Sequence, residues 1–479
     1  CLLPVTPFTL SKSLLLVIIK MRSVLTRTLS HRAALAVPLQ SLRRCNATVP
    51  VVPMLLDGKE VQSSAQEFFD VHNPATGELI ARTPLCTQAE MQAAADSCAD
   101  AYKSWKKVPA SSRARIMHKY EQAIRDSTDE LAAIITHEQG KTIPDAKGDI
   151  FRGLEVVEIA TGVPSMIQGE TLPGVANAVD THSYRVPLGV CAGICPFNFP
   201  AMIPLWMFPM AVTAGNTFLM KPSERVPLTT MKLAQLATEC GLPPGVLNII
   251  HGTHNAVNFI CDNEHIQAIS FVGGNVAGEH IYNRASNNGK RAQCNMGAKN
   301  HAVVLPDAVP SSTINQLVGA SMGAAGQRCM AISVAVFVGS AKEMIPQIAE
   351  ASSKLSVGPG NEGSSDIGPV VSAAAKQRIE GLIGSGVQDG ASLLLDGRNP
   401  SVPQANAEGY FVGPTVFSDV KKGMQIYDQE IFGPVLCCVS VDTYDEAIDF
   451  INANKYGNGT AVFTRSGAAA RKFVDEIEA

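Results

Sequence analysis

Gly-Gln-Arg-Cys-Met-Ala-Ile-Ser-Val-Ala-Val-Phe, residues 326–337, joins a turn of small residues to an apolar, β-branched run. It closes a longer segment that opens with Gln-Cys-Asn-Met-Gly-Ala-Lys-Asn at residues 293–300, and a helix is predicted between the two at about residues 313–325. Cys329 is therefore expected at the mouth of a strand, where backbone N–H groups can lower a thiol pKa or hold an oxyanion. On local sequence alone, a buried structural cysteine is the commoner outcome.

Alternating strands and helices are predicted over most of the chain. From residue 188, short apolar runs alternate with helical patterns, and the alternation resumes after Asn300, which indicates an α/β fold with doubly wound parallel sheets. Residues 57–84 are predicted to form a small β layer and residues 88–161 a set of amphipathic helices. Residues 169–187 are predicted to be a two-stranded excursion.

Four further segments carry residues suited to binding or catalysis. They are Cys195-Pro-Phe-Asn198-Phe-Pro, Lys221-Pro-Ser-Glu224, Phe271-Val-Gly273-Gly274 and Glu430-Ile-Phe432-Gly-Pro. A glycine turn before a helix presents N–H groups to a phosphate, and a carboxylate after a strand can accept from ribose hydroxyls. Taken singly, each segment fits a tight turn or a solvated loop equally well. In this order, and together with Cys329, they resemble the aldehyde dehydrogenase superfamily from about residue 55 onward.

The resemblance implies a fold and a division of the chain. We expect an aldehyde dehydrogenase-like α/β fold, with a Rossmann-type NAD domain, an α/β catalytic domain and a β bridging hairpin that pairs across subunits. The NAD-binding domain would comprise residues 51–168 and 188–297, the hairpin residues 169–187, and the catalytic domain residues 298–479. The full-length protein is expected to be a homotetramer.

The same resemblance assigns roles to residues. Cys329 is the expected nucleophile, and its backbone N–H and the Asn198 amide are the expected oxyanion donors. NAD is the expected cofactor, because a carboxylate at residue 224 favours a free ribose 2′-hydroxyl. The expected cofactor-binding residues are Cys195, Phe197, Lys221, Glu224, Arg225, Gly273, Gly274, Met296, Glu430 and Phe432.

One departure from the superfamily pattern concerns the enzyme thioester. Most members have a general-base glutamate 34 residues before the nucleophile, where this chain has Asn295. With Arg328 beside the nucleophile, the chain resembles the CoA-acylating branch, which converts methylmalonate and malonate semialdehydes to propionyl-CoA and acetyl-CoA in valine and pyrimidine catabolism. CoA is therefore the expected co-substrate. Arg328 and Arg152 are expected to bind the substrate carboxylate, since guanidinium grips carboxylate bidentately.

Two other functions remain open at this point. A hydrolytic aldehyde dehydrogenase could use a different base, and release of free acid without CoA would support it. A catalytically silent relative could serve as a structural protein. Both arginines fit surface or interlobe ion pairs as well as substrate binding.

Composition argues against several other classes. The net charge is −4 and the basic residues are scattered, so neither a nucleic acid nor a membrane surface is an expected partner. Twelve cysteines without a repeated C-x-x-C spacing indicate reduced thiols, and no metal is expected.

The two ends also carry signals. No Asp or Glu precedes Asp57, whereas five arginines lie between residues 22 and 44. This predicts a mitochondrial transit peptide within residues 1–50, with Met21 as the start and the matrix as the destination. A secretory signal with residues 14–19 as its apolar region is the alternative. The chain stops within an apparent helix at Ala479, so we expect a truncated C-terminus.

Overall fold

The computed structural model describes residues 49–479. The predicted transit peptide and its secretory alternative fall on residues 1–48, apart from the last two positions of the predicted range, and so lie outside the described residues. Within the described part, no helix is both long and apolar enough to cross a bilayer.

Strands and helices alternate through much of the described chain. The strands are β1 (Met54–Leu56), β2 (Lys59–Val61), β3 (Phe68–His72), β4 (Leu79–Pro84), β5 (Thr171–Ala176), β6 (Val179–His182), β7 (Val190–Ile194), β8 (Thr217–Lys221), β9 (Leu247–Ile249), β10 (Ile266–Val272), β11 (Arg291–Asn295), β12 (Asn300–Val304), β13 (Ile332–Val338), β14 (Ser392–Leu395), β15 (Thr415–Ser418), β16 (Val435–Val441) and β17 (Thr460–Phe463). The α-helices are α1 (Gln88–Trp105), α2 (Ala110–Asp126), α3 (Thr128–Gln139), α4 (Ile143–Thr161), α5 (Val163–Met166), α6 (Met202–Thr213), α7 (Pro227–Glu239), α8 (His254–Asp262), α9 (Asn275–Asn287), α10 (Pro310–Met322), α11 (Ile345–Ser353), α12 (Ala373–Gln388), α13 (Gln425–Asp428), α14 (Tyr444–Asn452) and α15 (Gly467–Glu476). Short 3-10 turns occupy Gly323–Gly326, Gly339–Met344 and Gln404–Asn406.

Local sequence explains where several helices begin. Thr87 caps α1 in a capping box with Glu90, and Thr443 caps α14 in the same way with Glu446. Proline stands in the first turn of α4, α7, α10 and α11, where its missing N–H costs nothing.

The first large sheet has seven strands in the order β11-β10-β7-β8-β9-β1-β2. Strands β11 to β9 in this order are parallel, and the chain runs outward from β7 first to β8 and β9 and later to β10 and β11. Strand β7 is thus the switch point of a doubly wound sheet, and ligands in such sheets bind at the carboxyl edge near that point.

The second large sheet has six strands in the order β14-β15-β16-β13-β12-β17. All neighbours are parallel except the β14–β15 pair. Strand β12, the last five residues of β13 and the first five residues of β16 are buried, so they form the centre of the core of this half.

The strands predicted at residues 57–84 are present, but they do not form one small β layer. Strands β1 and β2 extend the first large sheet through the antiparallel pairing of Leu55 with Ile249, and only β3 and β4 pair as a separate ribbon. The two-stranded excursion exists as the β5–β6 hairpin, and all residues of both strands are exposed.

Two histidines are buried within the described core. The His251 ring shares a hydrogen bond with the Pro53 carbonyl at 2.9 Å, and the His301 ring shares one with the Tyr427 hydroxyl at 3.3 Å. Burial lowers the pKa of each to about 4, so both rings are neutral at physiological pH.

Candidate active site

A cavity of about 380 Å³ lies where the carboxyl edge of the first sheet meets the amino edge of the second. Nine of the fourteen predicted site residues line it: Phe197, Asn198, Arg225, Gly273, Gly274, Met296, Cys329, Glu430 and Phe432. The other five, outside this lining, are Cys195, Lys221, Glu224, Arg328 and Arg152. The strand order explains why these nine residues lie together. The six from Phe197 to Met296 follow strands β7, β8, β10 or β11 of the first sheet, and Cys329, Glu430 and Phe432 precede strands β13 or β16 of the second.

Three consecutive residues in the left-handed region form the turn before Cys329. Ala324, Ala325 and Gly326 have φ of 50°, 54° and 67°. A Cβ at Gly326 would lie 2.0 Å from the Gly433 carbonyl oxygen, so only glycine allows the turn to press against that segment. The helix predicted to reach residue 325 therefore ends earlier, at Met322.

The Cys329 thiol is partly buried at the cavity wall. Burial raises the pKa of this thiol, and the Glu430 carboxylate raises it further. The backbone N–H groups of Cys329 and Met330 act in the opposite direction and lower it. These N–H groups are the donors that a thiolate, or an alkoxide on the carbon bound to it, would use.

Asn198 is held on both sides. Its side-chain amide donates to the Gln327 carbonyl at 3.0 Å, two residues before Cys329. Its own carbonyl accepts from the Lys141 ammonium at 2.7 Å. Lys141 is buried and paired with Asp149 at 3.0 Å, and Asp149 also accepts from the Met202 N–H at the start of α6. One amide hydrogen of Asn198 remains for a substrate oxygen.

Two other asparagines hold the peptide that follows the Cys329 side chain. The Asn300 side-chain amide donates to the Cys329 carbonyl at 2.8 Å, and the Asn458 amide donates to the same oxygen at 3.0 Å. Asn458 also donates to the Asn300 side-chain oxygen at 3.2 Å. Asn300 begins β12 and Asn458 lies just before β17, so both share the sheet edge of Cys329.

Lys221 and Glu224 lie together at the carboxyl end of β8. The buried Lys221 ammonium is 3.4 Å from the Glu224 carboxylate and donates to the Pro222 carbonyl at 2.9 Å. Cys195 is also buried, with its sulfur 3.3 Å from that of Met220, and burial raises its pKa to about 12. Only the backbone of Cys195 is thus suited to a ligand.

The N-terminus of α9 has the features of a phosphate site. Gly274 is its N-cap, and no side chain caps the helix. A Cβ at Gly274 would meet nothing within 4 Å, so open space lies in front of the first N–H groups. With Lys221 and Glu224 at the neighbouring strand ends, these residues fit a dinucleotide.

Glu430 and Phe432 form the opposite wall. The Glu430 carboxylate accepts from the Ala298 N–H at 3.1 Å, and burial raises its pKa. The Phe432 ring meets the Phe197 ring edge-on, with centroids 5.9 Å apart. Arg378, which sequence analysis did not single out, donates to the Glu430 carbonyl at 3.1 Å and lines the cavity.

The two predicted substrate arginines differ in their surroundings. The Arg328 guanidinium pairs with Asp145 at 2.5 Å, and Asp145 also accepts from the Ala324 N–H at 3.0 Å. Arg152 is exposed on α4 and pairs with Glu155 at 3.0 Å. The structure therefore ties Arg328 to the turn before Cys329 and leaves Arg152 on the surface of the described chain.

Asn295, the residue at the usual base position, ends β11 as an exposed residue and is not part of the cavity lining. Elsewhere in residues 49–479, no group of three His, Cys, Asp or Glu side chains has the arrangement of a metal site. All ten cysteines of the described residues are free thiols.

Comparisons with known proteins agree with this geometry. The sequence profile of the aldehyde dehydrogenase family matches residues 61–479. The Homo sapiens protein named methylmalonate-semialdehyde/malonate-semialdehyde dehydrogenase (acylating), mitochondrial, is 55% identical over 433 residues, which cover 90% of this chain and 81% of that protein. The Mus musculus protein of the same name is 54% identical over 433 residues, with the same two coverages.

Solved structures that resemble this chain also include proteins named as methylmalonate-semialdehyde dehydrogenases. A methylmalonate-semialdehyde dehydrogenase from Oceanimonas doudoroffii superposes with a TM-score of 0.88 at 43% identity, covering 90% of this chain and 88% of that one. A Sinorhizobium meliloti 1021 structure complexed with NAD, which carries the same enzyme name provisionally, has the same score, identity and coverages.

Proposed function

This chain belongs to the aldehyde dehydrogenase family, and on that premise we propose that it is an NAD-dependent, CoA-acylating methylmalonate-semialdehyde and malonate-semialdehyde dehydrogenase. The products would be propionyl-CoA and acetyl-CoA, as in valine and pyrimidine catabolism. The observation that carries the proposal is the placement of Cys329. Its thiol lies on a cavity shared with the dinucleotide half, Arg328 stands beside it, and Asn295 occupies the base position.

The first step is attack of the Cys329 thiolate on the aldehyde carbon. A carbon–sulfur bond forms and the carbonyl electron pair moves to oxygen. The Cys329 N–H and the free amide hydrogen of Asn198 would then stabilise the alkoxide, and loss of one such donor costs about 3 kcal/mol in comparable sites. Lys141 and Asp149 would keep Asn198 in place during this step.

NAD, when bound, supplies the acceptor for the hydride that leaves the substrate carbon. Lys221, Glu224 and the N-terminus of α9 would hold its adenosine and phosphate groups, and Glu430 and Phe432 its nicotinamide half. What remains on Cys329 is a thioester.

The acyl group of this thioester is transferred to CoA. At a pKa of about 8.5, roughly a tenth of a thiol is ionised at pH 7.5, and a thiolate attacks a thioester without a general base. The new carbon–sulfur bond forms as the Cys329 sulfur leaves. Arg328 would bind the substrate carboxylate. When this carboxylate leaves as CO2, its electron pair passes to the thioester carbonyl as an enolate, and the α-carbon then takes a proton from solvent.

Hydrolysis is the second candidate, and one observation favours it. Glu430 is the only carboxylate that lines the cavity within the described residues, and burial raises its pKa toward that of a general base. Glu430 could therefore activate water at the thioester.

One assay separates the two functions. NADH formation from malonate semialdehyde is followed with and without CoA, and the products are identified. We expect acetyl-CoA with CoA and little free acid without it, and loss of NADH formation in Cys329→Ala with NAD binding retained. Rapid CoA-independent acid release would favour hydrolysis, and full turnover by Cys329→Ala would move the nucleophile to another residue.

Asn295→Glu tests the missing base directly. A carboxylate at residue 295 can deprotonate water, and general-base catalysis contributes about a hundredfold or more. We expect the ratio of free acid to acyl-CoA to rise at equal CoA. If the ratio is unchanged in an active variant, access of CoA rather than the base selects the acceptor.

We also propose a mitochondrial matrix location and a homotetramer. The mitochondrial names of the relatives support the first. The exposed β5–β6 hairpin supports the second, since Tyr184 and Val186 just after it are 82% and 75% exposed.

A further inference from the structure

We propose that Asn300 and Asn458 are positioning residues, which hold the Cys329–Met330 peptide so that the Met330 N–H faces the Cys329 sulfur. Both amides donate to the same oxygen, the Cys329 carbonyl, at 2.8 and 3.0 Å. The proposal rests on the nucleophilic role of Cys329 but concerns two residues outside the lining of that cavity, which reach Cys329 through its backbone carbonyl.

The planar Cys329–Met330 peptide links the direction of its carbonyl to the direction of its N–H group. The Cys329–Met330 bond is trans, because the described chain has no cis peptide, and in a planar trans peptide the C=O and the next N–H point in opposite directions. Fixing the carbonyl toward the two asparagines therefore points the Met330 N–H away from them. Consistent with this placement, the Met330 N–H lowers the pKa of the Cys329 thiol.

The asparagines also restrain each other. Asn458 donates to the side-chain oxygen of Asn300 at 3.2 Å, and the second partner of the Asn300 amide is the Ala331 carbonyl at 2.9 Å. The orientation of the Asn300 amide is thus fixed from two sides, and the carbonyl of Cys329 accepts from two donors.

Several charged groups near the Cys329 thiol also influence its pKa. Glu430 faces Cys329 across the cavity and raises the pKa of the thiol, while Arg225 and Arg378 line the same cavity. Arg328 is adjacent in sequence, but its guanidinium pairs with Asp145. None of these groups is altered by a change at residue 458.

The test is the pH dependence of Cys329 alkylation. Full-length protein without cofactor is treated with iodoacetamide, and modification of the Cys329 peptide is measured by mass spectrometry between pH 6 and 10. We expect Asn458→Ala to raise the apparent pKa of Cys329 by about half a unit or more, because the Met330 N–H loses its alignment with the thiolate. Asn458→Asp should raise it further, since a carboxylate donates nothing and adds negative charge.

Asn452→Ala is the matched control. Asn452 is a neighbouring asparagine whose amide donates to the Glu476 carbonyl and does not touch Cys329. Asn458 is exposed, so folding should survive its replacement, and thermal unfolding of each variant checks this.

An apparent pKa within about 0.2 of wild type in both folded Asn458 variants would overturn the proposal, as would an equal shift in Asn452→Ala. The alkylation readout does not require turnover. It therefore remains informative if Cys329→Ala retains activity and the proposed nucleophile is wrong.

Discussion

Arg328 and Arg152 carry the same charge but differ in what fixes them. Arg328 is about one-third exposed and anchored by Asp145 to the turn before Cys329, whereas the Arg152 side chain is mostly exposed and pairs within its own helix. A guanidinium held beside the reacting carbon can select a carboxylate, and a mobile surface one contributes less. Arg328 is therefore the stronger candidate for substrate selection.

We expect Arg328→Leu to lower kcat/KM for malonate semialdehyde by about a hundredfold, while propanal is affected far less, because a charge-assisted hydrogen bond contributes about 1.5–3 kcal/mol. Arg328→Lys, which keeps the charge, should fall between. Arg152→Leu should also lower kcat/KM for the semialdehyde more than for propanal, but by a smaller factor than Arg328→Leu. Steady-state kinetics with both aldehydes measures this, and Arg284→Leu, which breaks an exposed ion pair with Asp262, is the control. Equal losses for the two aldehydes would make the arginines structural.

Much of the site could be predicted at the level of single residues because its motifs are local. Asn198 and Gly273 follow β7 and β10, Lys221 is the last residue of β8, and sequence patterns mark strand ends. Asn458 was missed, although Tyr456-Gly-Asn-Gly459 is a turn signal directly before a strand. Its partner Cys329 is 129 residues away, so no local pattern connects them.

At the level of elements, the turn before Cys329 depends on a single glycine. Gly326→Ala would place a Cβ 2.0 Å from the Gly433 carbonyl at a positive φ. We expect a loss of stability of about 2 kcal/mol or more and loss of activity, since the clash and the strain both fall on the turn before Cys329, the proposed nucleophile. Thermal unfolding and NADH formation measure the two effects.

Gly381→Ala is the matched control for that change. Gly381 lies inside α12, where a Cβ would meet nothing within 4 Å, so alanine should stabilise the protein by about 0.5–1 kcal/mol. Wild-type stability and activity in Gly326→Ala would show that the turn can relax away from Gly433.

Secondary structure was predicted correctly where the hydrophobic period determines the type of element. The prediction failed where the placement of a strand depends on its pairing partner. The alternation from residue 188 and the resemblance to the aldehyde dehydrogenase superfamily were both confirmed. The placement of β1 beside β9 could not be foreseen, because it depends on Leu55 meeting Ile249 across almost two hundred residues. The left-handed Ala324 and Ala325 were also unforeseen, since alanine carries no signal for that conformation.

At the scale of the whole molecule, the meeting of two sheet edges creates the cavity. Alternation in sequence predicts two α/β units, and the domain boundaries assigned to them stay a prediction. It does not predict that the carboxyl edge of one sheet faces the amino edge of the other. That relation arises from long-range contacts such as Asn198 with Gln327 and Ala298 with Glu430.

The two buried histidines bind protons less readily in the folded protein than in the unfolded chain. His251 and His301 have folded-state pKa values of about 4, below the ordinary 6.5 of the unfolded chain. Between pH 6.5 and 4 the unfolded state binds more protons at these histidines than the folded state does, so the free energy of unfolding falls as the pH falls. At pH 5 each histidine should cost about 2 kcal/mol relative to neutral pH.

Urea unfolding at pH 7 and pH 5 measures this acid sensitivity. The double variant His251→Gln/His301→Gln should lose less stability between the two pH values than wild type does, whereas His118→Gln, at an exposed position, should behave like wild type. Equal acid losses in the double variant and wild type would assign the effect to carboxylates instead. On this basis two imidazole rings in the interior contribute to the lower pH limit at which the cavity between the two sheets can exist.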